Sequence, residues 1–311
     1  MANLLKMMEK AAESFENLAI SDSRCLQMIS AKSKCTVCID ACPTKGIEIQ
    51  NGTIAISSCT SCGICAKVCP TETFIWKHPT YESLYSKLKK AKSSNEAVII
   101  GCIKSPLKIP EAPLIEIPCF SYLLDEIWTF LLNMKQGYIY LPEDACNECN
   151  HICKTPEQVK AIRLTCENDV RNIFNEEGVN RIKRDFLANV FSYVHVRGLT
   201  KWLKDEEVTK EYSGSIKDAW KNEVCELPIQ ISEKHLMAIS INSNCKSCRA
   251  CSMLCPNDAL EQSTNDKQQT TTITINHDRC STCGLCVDIC YFDAVSIEMK
   301  DNLQAIEHVQ V

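Results

Sequence analysis

The chain has 311 residues, enough for two or three compact domains, and 45% of them are hydrophobic and 23% charged. Two counts are unusual: 23 cysteines and only 9 glycines. A chain of this length does not need disulfides in place of a core, so the cysteines either pair in an oxidising compartment or bind metal in a reducing one. The formal net charge of −5 excludes a generally basic surface that coats nucleic acid.

The first twenty residues predict an amphipathic helix and not a secretory signal. Apolar residues from Leu4 to Phe15 recur at helical spacing, and charged residues lie between them. The longest apolar stretch elsewhere, residues 122–134, is interrupted by Asp125 and Glu126 and is too short to span a membrane. We therefore expect a soluble, cytoplasmic chain with no membrane span, in which the cysteines bind metal.

Two cysteine runs lie in the N-terminal part. One is a complete C-x2-C-x2-C-x3-C-P run, formed by Cys59, Cys62, Cys65 and Cys69. The run before it has only Cys35, Cys38 and Cys42, and Lys32 occupies the position three residues before Cys35. Between the runs, residues 46–49 and 53–56 flank Asn51-Gly52, which predicts a β-hairpin.

The middle region, residues 79–228, contains no such run, and its longer periodicities predict alternating helices and strands. Helices are expected over residues 81–91, from Ser121 to about residue 134, and from Pro156 to about residue 191. Strands are expected at residues 97–100, 114–117 and 138–141.

Cysteines follow each of these three predicted strands. If the strands are parallel, all of these cysteines lie at one edge of the sheet. Ligand sites form at this edge in open α/β folds. This predicts a further metal site on Cys102, Cys119, Cys146 and Cys149. Cys153 is a reserve ligand. The alternative is that these cysteines are simply buried. Cys166, within the predicted helix, and Cys225 are expected to be structural thiols.

The C-terminal part contains two four-cysteine runs, formed by Cys245, Cys248, Cys251 and Cys255 and by Cys280, Cys283, Cys286 and Cys290. The first is followed by a proline and the second by Tyr291. Three thiolates at every third residue surround one iron–sulfur cube, whereas the fourth ligates a neighbouring cluster. Too many thiols lie in one turn to pair as disulfides, and zinc does not naturally use two four-cysteine runs. Strands are expected at residues 237–241 and 294–298, and a polar surface loop at residues 261–272.

Residues 236–299 resemble a bacterial-type ferredoxin with two 4Fe-4S clusters, and the N-terminal runs repeat its design. The ligand crossover of that family implies one cluster on Cys245, Cys248, Cys251 and Cys290 and a second on Cys280, Cys283, Cys286 and Cys255. At the N-terminal end it implies a third cluster on Cys59, Cys62, Cys65 and Cys42, and a site with only three ligands on Cys35, Cys38 and Cys69. We expect Cys25 to supply the missing ligand and Lys32 to be a solvated charge. The alternative is that Cys25 is a buried thiol and that the site holds a 3Fe-4S cluster or uses a non-thiolate ligand.

Residues 98–166 resemble the iron–sulfur domain of the methyl-viologen-reducing hydrogenase delta subunit. The shared features are Cys102 after a strand, the Pro-Cys pair at residues 118–119, a helix, and Gly-Tyr-Ile-Tyr-Leu at residues 137–141 before a cysteine pair. That family has paired cysteines where this chain has Cys102 alone, and its later pair is spaced more widely than Cys146 and Cys149. The resemblance implies electron transfer between a hydrogenase- or dehydrogenase-type donor and a reductase acceptor.

These patterns predict an α+β ferredoxin-type dicluster domain at each end (residues 1–78 and 229–311) and, between them (residues 79–228), an α/β domain with a small parallel sheet and a helical linker. The leading hypothesis is a polyferredoxin-like electron-transfer protein with four 4Fe-4S clusters and a fifth in the middle domain, acting as a subunit or partner of a soluble oxidoreductase complex. No glycine-rich nucleotide motif is present, and no catalytic residue is predicted, so the chain is not expected to be catalytic alone. The alternatives are a cluster-dependent reductase of a disulfide or thiol, and a redox or iron sensor. No nucleic-acid partner is expected, and docking is expected through the N-terminal helix and residues 192–228.

Overall fold

The structure, a computed structural model, describes residues 17–105, 107, 109, 113–142, 157–167, 169–171, 215–224, 227, 236–265, 270–300 and 304–311. The predicted N-terminal helix, Cys146, Cys149, Cys153, Cys225 and the charged residues 201–212 lie outside the described residues.

The N-terminal unit, residues 17–78, consists of short helices and strands around the two cysteine runs. Its elements are β1 (Leu18–Ile20), a 3₁₀ turn (Asp22–Arg24), α1 (Leu26–Ile29), α2 (Val37–Ala41), β2 (Ile47–Gln50), β3 (Thr53–Ile56), α3 (Ile64–Val68) and β4 (Phe74–Trp76). Strand β1 pairs with β4, and β2 with β3, both antiparallel. Asn51 and Gly52 have φ values of 51° and 74°, as a two-residue hairpin turn requires, so the predicted hairpin is confirmed.

The middle unit contains a four-stranded parallel sheet. Its elements are α4 (Tyr81–Ser94), β5 (Val98–Cys102), β6 (Leu114–Ile117), a 3₁₀ turn (Phe120–Tyr122), α5 (Asp125–Leu132), β7 (Gly137–Tyr140), a 3₁₀ helix (Glu157–Ile162), β8 (Arg163–Leu164) and α6 (Ile216–Val224). The strand order is β6-β5-β7-β8, and every pairing is parallel. The predicted parallel arrangement is therefore confirmed.

Two helix predictions for this region are wrong in part, although residues 125–132 and the described residues from 167 to 171 are helical. The helix expected from Ser121 begins at Asp125, because a 3₁₀ turn containing Ser121 comes first. The helix expected from Pro156 is replaced, within residues 157–164, by a 3₁₀ helix and strand β8, because pairing with β7 outweighs local helical preference. Cys166 therefore lies in an exposed turn, where Asp169 accepts a hydrogen bond of 3.1 Å from its backbone N–H.

The C-terminal unit, residues 236–311, repeats the design of the N-terminal unit and extends it. Its elements are β9 (Leu236–Ile241), α7 (Ala250–Met253), β10 (Leu260–Asn265), β11 (Thr270–Asn276), α8 (Leu285–Asp288), β12 (Val295–Lys300) and β13 (Ile306–Gln310). Strand β9 pairs with β12, as β1 does with β4, and both are antiparallel pairs. The two strands predicted to flank the cysteine runs are confirmed.

The surface loop expected at residues 261–272 is wrong, because those residues belong largely to strands β10 and β11 of a three-stranded antiparallel sheet with β13. Threonine favours strands despite its polarity, and the alternating residues Ile273 and Ile275 are fully buried.

The N-terminal and middle units share one hydrophobic core. Trp220 of α6 is completely buried, and its ring meets those of Tyr85 and Phe130 edge to face at centroid distances of 5.1 and 5.5 Å. One face of helix α6 therefore packs into the core. Residues 192–214 of the expected docking segment lie outside the described residues, so docking there stays a prediction. The C-terminal unit has a separate, smaller core around Ile239, Leu260, Ile273, Ile275 and Val295.

Candidate iron–sulfur sites

Four cysteines of the N-terminal unit line one small cavity, and we call them site A: Cys42, Cys59, Cys62 and Cys65. Cys42 follows α2, and the other three belong to the run that leads into α3. Leu18, Ile47 and Trp76 line the same cavity, so the thiols face a largely apolar space. Burial raises the pKa of Cys62 and of Cys65, and the charge of neighbouring Cys59 raises both further.

A second group in this unit, site B, consists of Cys25, Cys35, Cys38 and Cys69. Burial raises the pKa of Cys38 to about 12, and the charges of Cys69, Cys35 and Cys25 contribute to the shift. Burial also raises the pKa of Cys35, with contributions from Cys69 and Cys25. The structure thus brings Cys25 to the three cysteines that lacked a fourth partner. Lys32 lies elsewhere, with its ammonium over the ring of Tyr291.

The C-terminal unit contains two comparable groups, each lining its own small cavity. Site C consists of Cys255, Cys280, Cys283 and Cys286, and site D of Cys245, Cys248, Cys251 and Cys290. Burial raises the pKa of Cys286 to about 12, and the charges of Cys283 and Cys280 add to it. In site D, burial is the main cause of the raised pKa of Cys251, and the charges of Cys245 and Cys248 raise it further. In both groups, the last cysteine of one run joins the first three of the other.

The last cysteine of a run accepts a hydrogen bond from the backbone N–H four residues later. The N···Sγ distances are 3.3 Å from Thr73 to Cys69, 3.3 Å from Ala259 to Cys255 and 3.4 Å from Ala294 to Cys290. Burial alone would raise the pKa of Cys69, but hydrogen bonds from Thr73 and Thr71 outweigh it and the pKa is lowered. The same balance lowers the pKa of Cys42, whose donors include the N–H of Gly46. Such bonds favour the thiolate, which is the form that binds iron.

The residue before each of these N–H donors has a left-handed backbone conformation, which turns the following amide towards the sulfur. These residues are Lys45, Glu72, Asp258 and Asp293, with φ between 48° and 54°. None is a glycine, so the sequence contains no obvious signal for this turn. The recurrence of the turn after all four cysteines is a structural repeat that spacing alone did not reveal.

The three complete runs share a second backbone feature. The residues two and four positions after the first cysteine are left-handed: Ser61 and Gly63, Ser247 and Arg249, Thr282 and Gly284. The N–H groups of Ser61 and Thr282 consequently approach Cys59 Sγ and Cys280 Sγ, each at 3.4 Å.

The incomplete run lacks this loop geometry. The equivalent residues are Lys34 and Thr36, and neither has a positive φ. The run therefore departs from the other three in its backbone as well as in having Lys32 in place of a cysteine. The chain brings in Cys25, at the start of α1, from outside the run.

Lys217 of α6 reaches into the N-terminal unit next to site B. Its ammonium donates to the backbone carbonyls of Ala66, Lys67 and Cys69 at 2.8, 2.8 and 2.7 Å. These carbonyls lie at the C-terminal end of α3, where backbone acceptors lack helical partners and the helix dipole favours a cation. Burial lowers the pKa of Lys217, and the charge of Cys69 opposes this. This contact was not predictable from local patterns, because 148 residues separate Lys217 from Cys69.

Two of the four cysteines predicted for the middle site are described, and both are buried at the C-terminal edge of the parallel sheet. Cys102 ends β5, and its thiol donates a hydrogen bond of 3.3 Å to the carbonyl of Pro118. Cys119 lies two residues after the end of β6. It is close enough to site A for its charge to contribute, after burial, to the raised pKa of Cys62. Cys146 and Cys149 lie outside the described residues, so the middle site stays a prediction.

The donor sets of sites A to D fit 4Fe-4S clusters. Each provides four cysteines, and sites A, C and D enclose small, mostly apolar spaces. No three His, Cys, Asp or Glu side chains of the described residues are placed to hold a single metal ion. Four thiolates that each bind a different iron of a cluster need not converge on one point, so the arrangement suits a cluster better than a lone zinc ion.

Comparison with known families agrees with this chemistry. Residues 244–294 match the family model of a 4Fe-4S dicluster domain, and residues 54–74 match that of a 4Fe-4S binding domain. No curated protein matches the chain. The resemblance to the hydrogenase delta subunit receives no support. In the part of the chain that is described, no helix combines the length and apolar character needed to cross a bilayer. The chain carries 4Fe-4S cluster-binding domains of the ferredoxin type in its N-terminal and C-terminal parts.

Proposed function

We propose that the chain is a polyferredoxin-like electron-transfer protein that holds four 4Fe-4S clusters on sites A to D. The observation that carries this proposal is the grouping of cysteines from four runs, together with Cys25, into four sets of four. A cluster bound by four thiolates transfers one electron at a potential set by charge, hydrogen bonds and exposure to solvent.

The chain's own residues determine the charge, the hydrogen bonds and the solvent exposure around each site. Backbone N–H groups donate to the ligand sulfurs, the cation of Lys217 lies beside site B, and apolar side chains such as Leu18 and Trp76 shield site A. A donor or a positive charge near a cluster favours its reduced, more negative state, whereas an apolar surrounding opposes added charge. The sites differ in these surroundings, so we infer that their reduction potentials differ.

The electron donor and acceptor are inferred to be redox proteins within an oxidoreductase complex. An oxidised cluster with four thiolates carries a charge of about −2, so four of them change the net charge of the protein from −5 to about −13. A partner with a basic surface is therefore attracted electrostatically.

A fifth site on Cys102, Cys119, Cys146 and Cys149 extends this proposal. Its support is the position of Cys119 beside Cys62 of site A, at the edge of the parallel sheet where ligand sites form. The same position favours one second candidate function, the two-electron reduction of a disulfide substrate to two thiols at the middle unit. Turnover of a panel of disulfides by the purified holo-protein, supplied with a reduced dye, supports this candidate, and its absence supports a protein that only transfers electrons.

A reductive titration tests the main proposal. The anaerobically purified protein is titrated with dithionite and followed by EPR, and four clusters predict an uptake of about four electrons per chain. Reoxidation by a dye should then restore the initial spectrum. An uptake of fewer than about two electrons per chain, or the absence of any iron–sulfur signal, contradicts the proposal.

A further inference from the structure

The two positions at which the chain departs from the ferredoxin cysteine pattern meet in the structure. Lys32 takes the place of a cysteine, and Tyr291 takes the place of the proline that follows Cys42, Cys69 and Cys255. The ammonium of Lys32 lies 2.9 Å from the centroid of the Tyr291 ring. A cation over an aromatic face is attracted by the ring quadrupole, by about 0.5–2 kcal/mol. The contact joins the N-terminal unit to the C-terminal unit.

An apolar cluster lies beside this contact. Leu26 of α1 packs with Leu285 and Ile289 of the C-terminal unit, and the three side chains are 2%, 1% and 4% exposed. Such burial between elements more than 250 residues apart in the chain defines one orientation of the two units.

A hydrogen bond also joins the two units at this junction. The backbone N–H of Lys34 donates to the carboxylate of Asp288, at the end of α8, at 2.9 Å. A charged acceptor makes this bond stronger than one between neutral groups. The junction therefore combines an apolar cluster with a cation–π contact and a directed, charge-assisted hydrogen bond.

The junction places one cysteine of each unit on its border. Cys35 of site B and Cys283 of site C both pack against the Leu26–Leu285–Ile289 cluster. The two thiols are close enough for the charge of Cys283 to act on Cys35. Sites B and C are therefore the two sites whose cysteines meet at the junction, and we call them the inner sites.

We propose that Lys32, Tyr291 and Asp288 are positioning residues, which hold the two dicluster units in one orientation and keep site B beside site C. This inference rests on the proposed function, because its consequence concerns the clusters that the two sites hold. Charge added at one inner site raises the energy of adding charge at the other, so the midpoint potentials of the two sites depend on each other. The chain is then one four-site unit and not two independent ferredoxins on a tether.

The test compares variants of the full-length holo-protein. Tyr291→Pro restores the residue found after the other three runs, and Lys32→Ala removes the cation. Tyr291→Phe keeps the aromatic face, and Lys87→Ala removes an exposed lysine of α4. Hydrogen exchange reports on the junction through the amides of α8. EPR-monitored redox titration reports on the inner sites. Magnetic coupling between the two clusters within one unit splits the EPR lines equally in all variants. A difference between variants therefore reports on coupling across the junction.

We expect Lys32→Ala and Tyr291→Pro to speed exchange in α8 by about tenfold, to narrow the fully reduced EPR spectrum and to change the potentials of sites B and C. Tyr291→Phe and Lys87→Ala should match the unmodified protein. Asp288→Asn provides an independent variant and should have an effect of the same sign. Exchange rates equal to those of the unmodified protein overturn the positioning role. Faster exchange with unchanged spectra and potentials overturns the coupling of the two sites. Absence of clusters from the unmodified protein is a different outcome, because it contradicts the proposed function itself.

Discussion

The ammonium of Lys217 donates a hydrogen bond of 2.7 Å to the backbone carbonyl of Cys69, and so connects the core helix α6 to a cysteine of site B. The same ammonium binds the carbonyls of Ala66 and Lys67, so one side chain serves three acceptors at the end of α3. The middle unit therefore contributes a cation to the surroundings of a site whose cysteines all belong to the N-terminal unit.

Replacing this cation should affect both stability and redox behaviour. Lys217→Met leaves the three carbonyls at the end of α3 without their donor, which we expect to lower the free energy of unfolding by about 2–3 kcal/mol. Loss of the positive charge should also lower the reduction potential of site B. Chemical denaturation and EPR-monitored redox titration measure the two effects.

Lys221→Met is the matched control, because Lys221 lies on the same helix and is exposed. It should leave the unfolding curve and the potentials nearly unchanged. If both variants shift the potential of site B equally, the effect comes from net charge, and the specific contact of Lys217 has no role.

Gly63 is required by both its conformation and its neighbours. Its φ is +72°, and a Cβ atom would lie 2.9 Å from Cδ2 of Tyr122. The Tyr122 ring cannot withdraw easily, because it stacks on Tyr81 at 4.5 Å and its hydroxyl donates to the carbonyl of Pro79 at 3.0 Å. Gly63→Ala should therefore displace the loop that holds Cys62 and Cys65, and destabilise the protein by about 2–4 kcal/mol.

Gly284 occupies the equivalent loop position in the C-terminal unit and is the control for this effect. Its φ is +77°, but a Cβ atom there would meet nothing within 4 Å. Gly284→Ala should cost only the left-handed strain, about 1–2 kcal/mol, and keep the full iron content. Thermal unfolding and iron analysis compare the two variants, and equal losses would contradict a steric role for Tyr122.

Cys25 should be necessary for the fourth iron of site B. Cys25→Ser removes one thiolate, so we expect loss of either one iron, leaving a 3Fe-4S cluster with its own EPR signal, or of all four. Cys166→Ser, in the exposed turn after β8, should change neither iron content nor spectrum. Iron content and EPR spectra of Cys25→Ser equal to those of the unmodified protein would reject Cys25 as a ligand.

Removal of iron should unfold the C-terminal unit before the parallel sheet. The C-terminal core is small, and cysteines of sites C and D pack against it, so clusters bound there contribute to its stability. The middle unit instead buries large side chains, including Trp128, Trp220 and Phe130. After treatment with an oxidant and a chelator, hydrogen exchange should become fast in β9 to β12 while β5 and β7 stay protected. Equal loss of protection in both regions would contradict this order.

Features determined by neighbouring residues were predictable from the sequence. The Asn51-Gly52 hairpin depends on two adjacent residues that tolerate positive φ, and the cysteine spacing identifies the runs directly. Three strands of the parallel sheet were predictable, because each is a short apolar segment and longer stretches separate them. The fourth, β8, was not predictable, because it lies where a helix was expected. The prediction failed at β10 and β11, where polar threonines form strands because they pair with each other and with β13.

Features that depend on distant contacts were not predictable. Lys217 meets Cys69, and Lys32 meets Tyr291, only after the chain has folded. The spacing of Lys32 indicated that a ligand was missing, but the structure was needed to show what that lysine contacts instead. The gathering of Cys25 with Cys35 and Cys38 was proposed from the missing ligand alone, and the structure brings the three together.

The most direct test of the account is the analysis of iron and acid-labile sulfide in the anaerobically purified chain. Four 4Fe-4S sites predict about sixteen irons and sixteen sulfides per chain, and a further four-iron cluster in the middle unit predicts about twenty of each. About twelve irons would contradict a complete site B. Zinc in place of iron, or iron without sulfide, would contradict the assignment of clusters to all four sites.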